Sequence, residues 1–296
     1  MRASTGAHPG LECRVMNKRI AVIGGAAVLF AGILAAGWFL TAGLNRQNTA
    51  IAVNEPAMLL PLPPVPPRVA SGPDYEHCLE MIDADPAGAN NFADAWEATG
   101  GGEGAQHCLA LAQVALGDPE TGAGMLDELA QRSTAPALAR ARVYGQAVQA
   151  WLMTDEPDRA YASATAALAL SPDDPDLRID RSVAAATMER YLDAIDDLDR
   201  ALQLDPLRFD ALVLRAAAWR QEGRLDRARA DVDRALLLDP EYPEALLERG
   251  ILRQHMGDRE GARADWERAI ELDPDSTTAD LAQQNLALLE AGPERK

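Results

Sequence analysis

Residues 175–206 read PDLRIDRSVAAATMERYLDAIDDLDRALQLDP, residues 209–240 read FDALVLRAAAWRQEGRLDRARADVDRALLLDP, and residues 243–274 read PEALLERGILRQHMGDREGARADWERAIELDP. Each block closes on Leu-Asp-Pro, and Pro172, Pro206, Pro240 and Pro274 stand at a constant 34-residue interval. A period of that length is one helix-turn-helix unit, and such units stack because none can bury its apolar face alone. The expected fold is therefore all-α, a solenoid of helical hairpins.

Aligned on their prolines, the blocks agree at the positions where packing demands it. Small residues fall in the first helix at Ser182, Ala216 and Gly250, and in the second at Ala194, Ala228 and Ala262, then Ala201, Ala235 and Ala269. Between those alanines sits a bulky residue, Leu198, Val232 or Trp266, and Gly223 and Gly257 stand between the helices. Alanine or glycine belongs where helices cross closely, a large side chain where they diverge, and proline where the chain leaves one unit for the next.

This order resembles the tetratricopeptide repeat, in three units at 175–208, 209–242 and 243–276. A weaker unit at 141–174 keeps Trp151, Ala160, Ala167 and Pro172, but puts Val148 at the small position and Pro157 at the start of its second helix. The resemblance implies a right-handed solenoid over 135–276. Upstream, 74–134 keeps a helix-glycine-helix rhythm around Gly100–Gly102 and Gly117-Asp118-Pro119, read as two degenerate hairpins forming a cap. Downstream, in 277–296, Leu281, Leu286 and Leu289 give Thr277–Leu289 the apolar face of a capping helix.

In this family the first helix of each unit lines a concave surface that receives a peptide or a partner's helix. Carried over by register, the partner-binding groove is Ile179, Val183, Val213, Ala217, Arg220, Leu247, Ile251 and Gln254. Some of these are expected to pack against the next repeat instead. Ile179, Val183, Val213 and Leu247 occupy the positions where the family's chaperone-tail binders carry a carboxylate clamp, so that role is not implied. What the register leaves is a groove of small and apolar residues with one cation.

Charge narrows the partners. Six basic and two acidic residues precede Asp74, leaving 22 basic against 44 acidic beyond it, a balance of −22. Such a field repels phosphate backbones, so nucleic acid is not expected as a partner. Arg181, Arg215 and Arg249 recur with Asp197, Asp231 and Asp265, which reads as an ion-pair ladder within repeats rather than an anion site. Arg200, Arg234 and Arg268 follow those aspartates by three residues, a second expected helical pairing.

The N-terminus suggests a membrane. Ile20–Leu44 is an uncharged stretch of 25 residues, about 37 Å long as a helix and enough to cross a hydrocarbon core of roughly 30 Å. Arg14, Lys18 and Arg19 precede it and Arg46 follows, so 1–19 is expected in the cytoplasm and the repeats in the bacterial periplasm, held to the inner membrane by one pass at 20–44. A cleaved signal peptide ending near Ala50-Ile-Ala52 is the competing reading, against which the length of the apolar segment argues. Residues 45–73 hold seven prolines and read as a semi-rigid spacer.

Cys78 and Cys108 lie beyond that segment, 30 residues apart, on first helices of successive expected hairpins. In an oxidising compartment the pair suggests a disulfide, stabilising the fold by roughly 3 to 4 kcal/mol. A zinc or copper site built from His77-Cys78 and His107-Cys108, and buried free thiols, are the alternatives; adjacent helical residues point about 100° apart, which makes four converging ligands awkward. No HExxH, GxSxG or phosphate-loop motif occurs, so neither catalysis nor a cofactor is expected. A non-enzymatic scaffold or adaptor in an envelope complex is the leading functional reading. An assembly factor or chaperone for exported clients is the alternative.

Overall fold

The protein is seen in a computed structural model that describes residues 67–291. Thirteen α-helices follow one another there in antiparallel pairs. The chain order is α1 (Pro73–Ala84), α2 (Pro86–Ala98), α3 (Gly102–Ala115), α4 (Pro119–Arg132), α5 (Ala137–Leu152), α6 (Pro157–Leu170) and α7 (Pro175–Thr187). It continues with α8 (Tyr191–Leu204), α9 (Phe209–Gln221), α10 (Leu225–Leu238), α11 (Pro243–His255), α12 (Arg259–Leu272) and α13 (Thr277–Ala291). No strand occurs among the described residues. No helix among them is long and apolar enough to cross a membrane, and the expected span at 20–44 lies outside them.

Local chemistry starts and stops these helices. Proline occupies the first turn of α1, α2, α4, α6, α7 and α11, where its missing N–H is not needed. Asp85, Asp118, Asp174 and Asp258 cap α2, α4, α7 and α12 by accepting backbone N–H groups of the first turn. Gly117, Gly223 and Gly257 take positive φ in the turns after α3, α9 and α11, where a Cβ would be strained. The aspartate of Leu-Asp-Pro also works: Asp205 accepts from Leu207 N at 3.1 Å and Asp239 from Glu241 N at 3.0 Å, turning the chain into the next repeat.

Within each repeat, side-chain volume is traded across the helix crossing. Gly250 lies against Trp266, and by register Ser182 with Leu198 and Ala216 with Val232 hold the equivalent positions. A Cβ on Gly250 would lie 2.3 Å from Trp266 Nε1. Trp266 is fully buried and donates that N–H to Leu247 O at 3.1 Å. The core runs as two large apolar clusters, one chiefly over α1–α6 and reaching Ala184 of α7, the other over α7–α13, with two small clusters rich in alanine where they meet.

The ion-pair ladder forms, and it is more buried than a surface ladder. Arg181, Arg215 and Arg249 each reach both oxygens of Asp197, Asp231 and Asp265, at 2.6 to 2.9 Å, and the three aspartates are 3%, 7% and 4% exposed. Each pair clamps the first helix of a repeat to its second. The other expected pairing does not form. Arg200 instead reaches Asp173, Arg234 reaches Pro206 O, and Arg268 reaches Glu241 and Glu271. The ladder aspartates point inward to the first helix, so arginines on the exposed side of the second helix turn to the preceding loop.

Two features define the N-terminal cap. Cys78 of α1 and Cys108 of α3 are joined by a disulfide across stacked first helices, Cα atoms 6.2 Å apart and both residues fully buried. Residues 67–72, the end of the expected spacer, lie against the helices, with Val69 and Ala70 packed on the core.

Candidate partner-binding groove

The expected groove residues are carried by α7, α9 and α11, and they do not share one exposure. Ile179, Val213 and Leu247 form a nearly covered row, at 7%, 8% and 3% exposure. One turn on, Val183 and Ile251 are half-buried, while Ala217 between them is covered. Gln254 is half-buried. The surface open to a ligand is therefore led by Val183, Ile251 and Gln254, above a floor formed by the covered row.

Arg220 is not an available cation. It is buried, and its guanidinium donates to Glu248 of the next first helix at 2.7 and 3.3 Å. The pair ties α9 to α11 and cancels its own charge; in a site this covered, losing one partner costs far more than losing both.

A second polar link lies two repeats earlier on the same register. Gln149 of α5 donates to Asp180 of α7 at 2.5 Å. Burial first, then the carboxylates of Asp176 and Asp174, pushes the Asp180 carboxyl up to about 8, so it holds a proton at neutral pH. His255 beside Arg220 is held below the usual imidazole value by burial and by that charge. The groove face is thus electrically quiet within an acidic domain.

A third link crosses the cap. Buried His107 lies 2.6 Å from Tyr75 Oη through Nδ1 and 2.6 Å from Gln146 Oε1 through Nε2. Burial pushes the imidazole down to about 4, so the ring is neutral, donating through Nε2 to Gln146 and accepting from the Tyr75 hydroxyl. Both ring nitrogens are engaged, and His77 is exposed with its ring edge-on to Phe92. The two His-Cys pairs therefore converge only through their sulfurs.

Sequence reasoning missed these cross-repeat links, although a signal existed. Gln146, Asp180 and Glu248 occupy one position of the 34-residue register, interrupted by Leu214. The arginines of α10 and α11 form no anion site either. In a cleft of 260 Å³, Arg229 pairs with Asp233, Arg249 with Asp265, and Arg253 with Asp258 and Asp265.

Residues 214–287, from within α9 to within α13, match the family model of the tetratricopeptide repeat. The hairpins of that span are tetratricopeptide repeats. Among solved structures, the array is similar to MamA residues 41 to the end from Desulfovibrio magneticus RS-1, with 18% identity and a TM-score of 0.50, covering 58% of this chain and 95% of that one. It is also similar to a chain in the Cut9–Hcn1 hetero-tetramer of the APC/C, with 15% identity and a TM-score of 0.55, over 72% of this chain and 42% of that one. YrrB, described as a tetratricopeptide-repeat protein with an unusual peptide-binding site, aligns at 20% identity and a TM-score of 0.48, over 66% and 97%. At such identities the likeness concerns the fold. No curated protein matches the chain.

Proposed function

We propose that the protein is a non-catalytic scaffold or adaptor, anchored in the bacterial inner membrane by residues 20–44, whose periplasmic repeats bind a protein or peptide partner of an envelope complex. The observation that carries this reading is the groove: its floor is apolar, its Arg220 and Glu248 neutralise each other, and its open residues are Val183, Ile251 and Gln254. Such a surface suits an extended, largely uncharged segment or the apolar face of a helix. The disulfide between Cys78 and Cys108 supports a compartment that keeps thiols oxidised, and the apolar stretch before the repeats supports the anchor.

The test is crosslinking in cells with Val183→Glu and Ile251→Glu, two half-buried positions whose substitution leaves the floor intact. Loss of the wild-type partners, with unchanged helicity, is the expected result. Recovery of the same partners at the same yield would sink the groove. One partner at stoichiometric yield marks a scaffold, whereas many clients at low yield mark an assembly chaperone.

A further inference from the structure

Each repeat meets the next at a joint between its second helix and the following first helix, so the joints α6–α7, α8–α9 and α10–α11 can be compared by register. One position of the second helix carries a large apolar side chain in the first two, Tyr161 of α6, half-buried, and Ile195 of α8, 3% exposed. One turn on, a second position bridges the joint. Thr165 Oγ1 accepts from Arg181 Nη1 at 3.4 Å, and Asp199 accepts from Arg215 Nη1 at 2.6 Å. In α10 the same two positions hold Arg229 and Asp233.

Arg229 undoes both arrangements. Its side chain is 63% exposed, so it leaves the joint, and it draws Asp233 to itself at 3.5 Å. Among the described residues Arg249 then pairs with Asp265 alone, although the charge of Asp233 is still felt there. Arg253 stands where the preceding joint has Trp219, and it too is turned to Asp265. The 260 Å³ cleft lies at this joint, floored by Val232 and Leu252 and edged by Arg229, Arg249, Arg253 and Met256. On α11 its lining falls at 249, 252, 253 and 256, and at about 100° per residue that stripe lies on the other side of the helix from Leu247, Ile251 and Gln254. The cleft is separate from the groove.

The first joint shows what suits such a space. The Tyr161 ring lies 5.4 Å from the Arg181 guanidinium and 4.4 Å from that of Arg190, and a ring face attracts a cation. Arg249 holds the position of Arg181. A cavity of about 150 Å³ admits benzene, so 260 Å³ has room for one substituted ring, and it is smaller than the roughly 300 to 1,000 Å³ of small-molecule sites. The arginines already have carboxylates, which favours a neutral ring over an anion. We propose that the α10–α11 cleft is a socket for one aromatic side chain of a partner protein, a contact separate from the groove. Aromatic side chains bury about 150 to 250 Å² each and are common anchors of interfaces. A partner's ring would supply from outside the side chain that Tyr161 supplies from within.

The probe is acetyl-4-fluorophenylalanine amide, followed by fluorine NMR line broadening against the full chain in lipid nanodiscs. Saturable broadening is expected, reversed by acetyl-phenylalanine amide and about threefold or more less effectively by acetyl-leucine amide. Arg229→Tyr and Arg229→Ile, which fill the joint from within as Tyr161 and Ile195 do, should each weaken binding by about tenfold or more with helicity unchanged. Val183→Glu with Ile251→Glu should bind the probe as wild type does. In cells, Arg229→Tyr should lower the crosslinking yield of the wild-type partners by a similar factor. Broadening that does not saturate, equal binding by the Arg229 variants, or equal displacement by the leucine compound overturns the proposal. So does an unchanged partner yield in Arg229→Tyr, and so does loss of the probe in the groove variant, which would put the ring in the groove. Loss of partners in the groove variant, with no probe bound by wild type, would leave the groove standing and remove this inference alone.

Discussion

At the level of single residues, the last repeat shows how volume is conserved across a crossing. Gly250 leaves the space that Trp266 fills, where the preceding repeats pair Ala216 with Val232 and Ser182 with Leu198. Alanine is the better helix former by about 1 kcal/mol, but its methyl would stand 2.3 Å from the indole, and overpacking of a core costs roughly 1 to 3 kcal/mol. Urea unfolding should therefore find Gly250→Ala destabilised. Combined with Trp266→Val, which recreates the Ala216 and Val232 pairing, the loss should be smaller than the sum of the single changes; strict additivity would refute the packing account. Asp180 makes a second residue-level prediction. Its folded carboxyl lies well above its unfolded value of 3.8, at about 8, so the native state holds a proton that the unfolded chain releases. Stability therefore falls as pH rises through that window. His107 acts with the opposite slope, its ring pushed from 6.5 to about 4, so that its penalty grows as pH drops between those values. Of these two groups only Asp180 titrates between about pH 6.5 and 8. Asp180→Asn, which still offers an oxygen to Gln149, should melt higher than wild type at pH 8, with the gain shrinking toward pH 4. Parallel melting curves from pH 6.5 to 8 would clear Asp180 of the role.

Among the elements, the turn after each first helix carries the clearest local signal and one departure from it. Gly223 and Gly257 hold positive φ there, and at the equivalent place after α7 the chain has Glu189 at φ 60°. A left-handed conformation costs a non-glycine residue roughly 1 to 2 kcal/mol, partly offset because glycine loses more freedom on folding. Glu189→Gly should therefore raise the melting temperature modestly, and a drop would mean that the glutamate side chain holds the turn. The same contrast explains what the sequence made legible. Helix ends, register and the small-to-large alternation could be read because proline, glycine and aspartate act within a few residues of themselves. The covered row Ile179, Val213 and Leu247 shows the same register in its burial, since 34 residues return a side chain to the equivalent position of the next repeat. Partner choice between repeats could not be read. Asp197 stands three residues from Arg200 and yet takes Arg181, because stacking points the carboxylate inward. Arg220 reads as a free groove cation until α11 brings Glu248 beneath it. Residues 67–72 read as spacer because nothing local announces that Arg142, 75 residues on, will take the Pro67 carbonyl.

Across the whole molecule, the core is large at both ends and thin where they meet. The cluster over α1–α6 contains Tyr75, Leu111, Leu126, Leu129 and Trp151, and the cluster over α7–α13 contains Leu198, Leu212, Leu252 and Trp266. Between them lie two small clusters, Ala141, Ala167, Leu168 and Leu177 with Tyr144 and Leu170, and Ala185, Ala186 and Ala194 with Tyr161 and Tyr191. Five of their seven buried residues are alanine, which buries little apolar area, so this junction contributes less coupling than the large clusters on either side. In a stacked array each unit stabilises mainly its neighbours. The disulfide between α1 and α3 should therefore act on one end only. Replacing both cysteines, Cys78→Ala with Cys108→Ala, removes a cross-link over 30 residues, at a cost of roughly 3 to 4 kcal/mol. Hydrogen exchange of this variant should be faster through α1–α4, attenuated in α5 and α6, and indistinguishable from wild type in α9–α12. Equal acceleration in α9–α12 would show that the junction transmits stability in full and that the two clusters open as one.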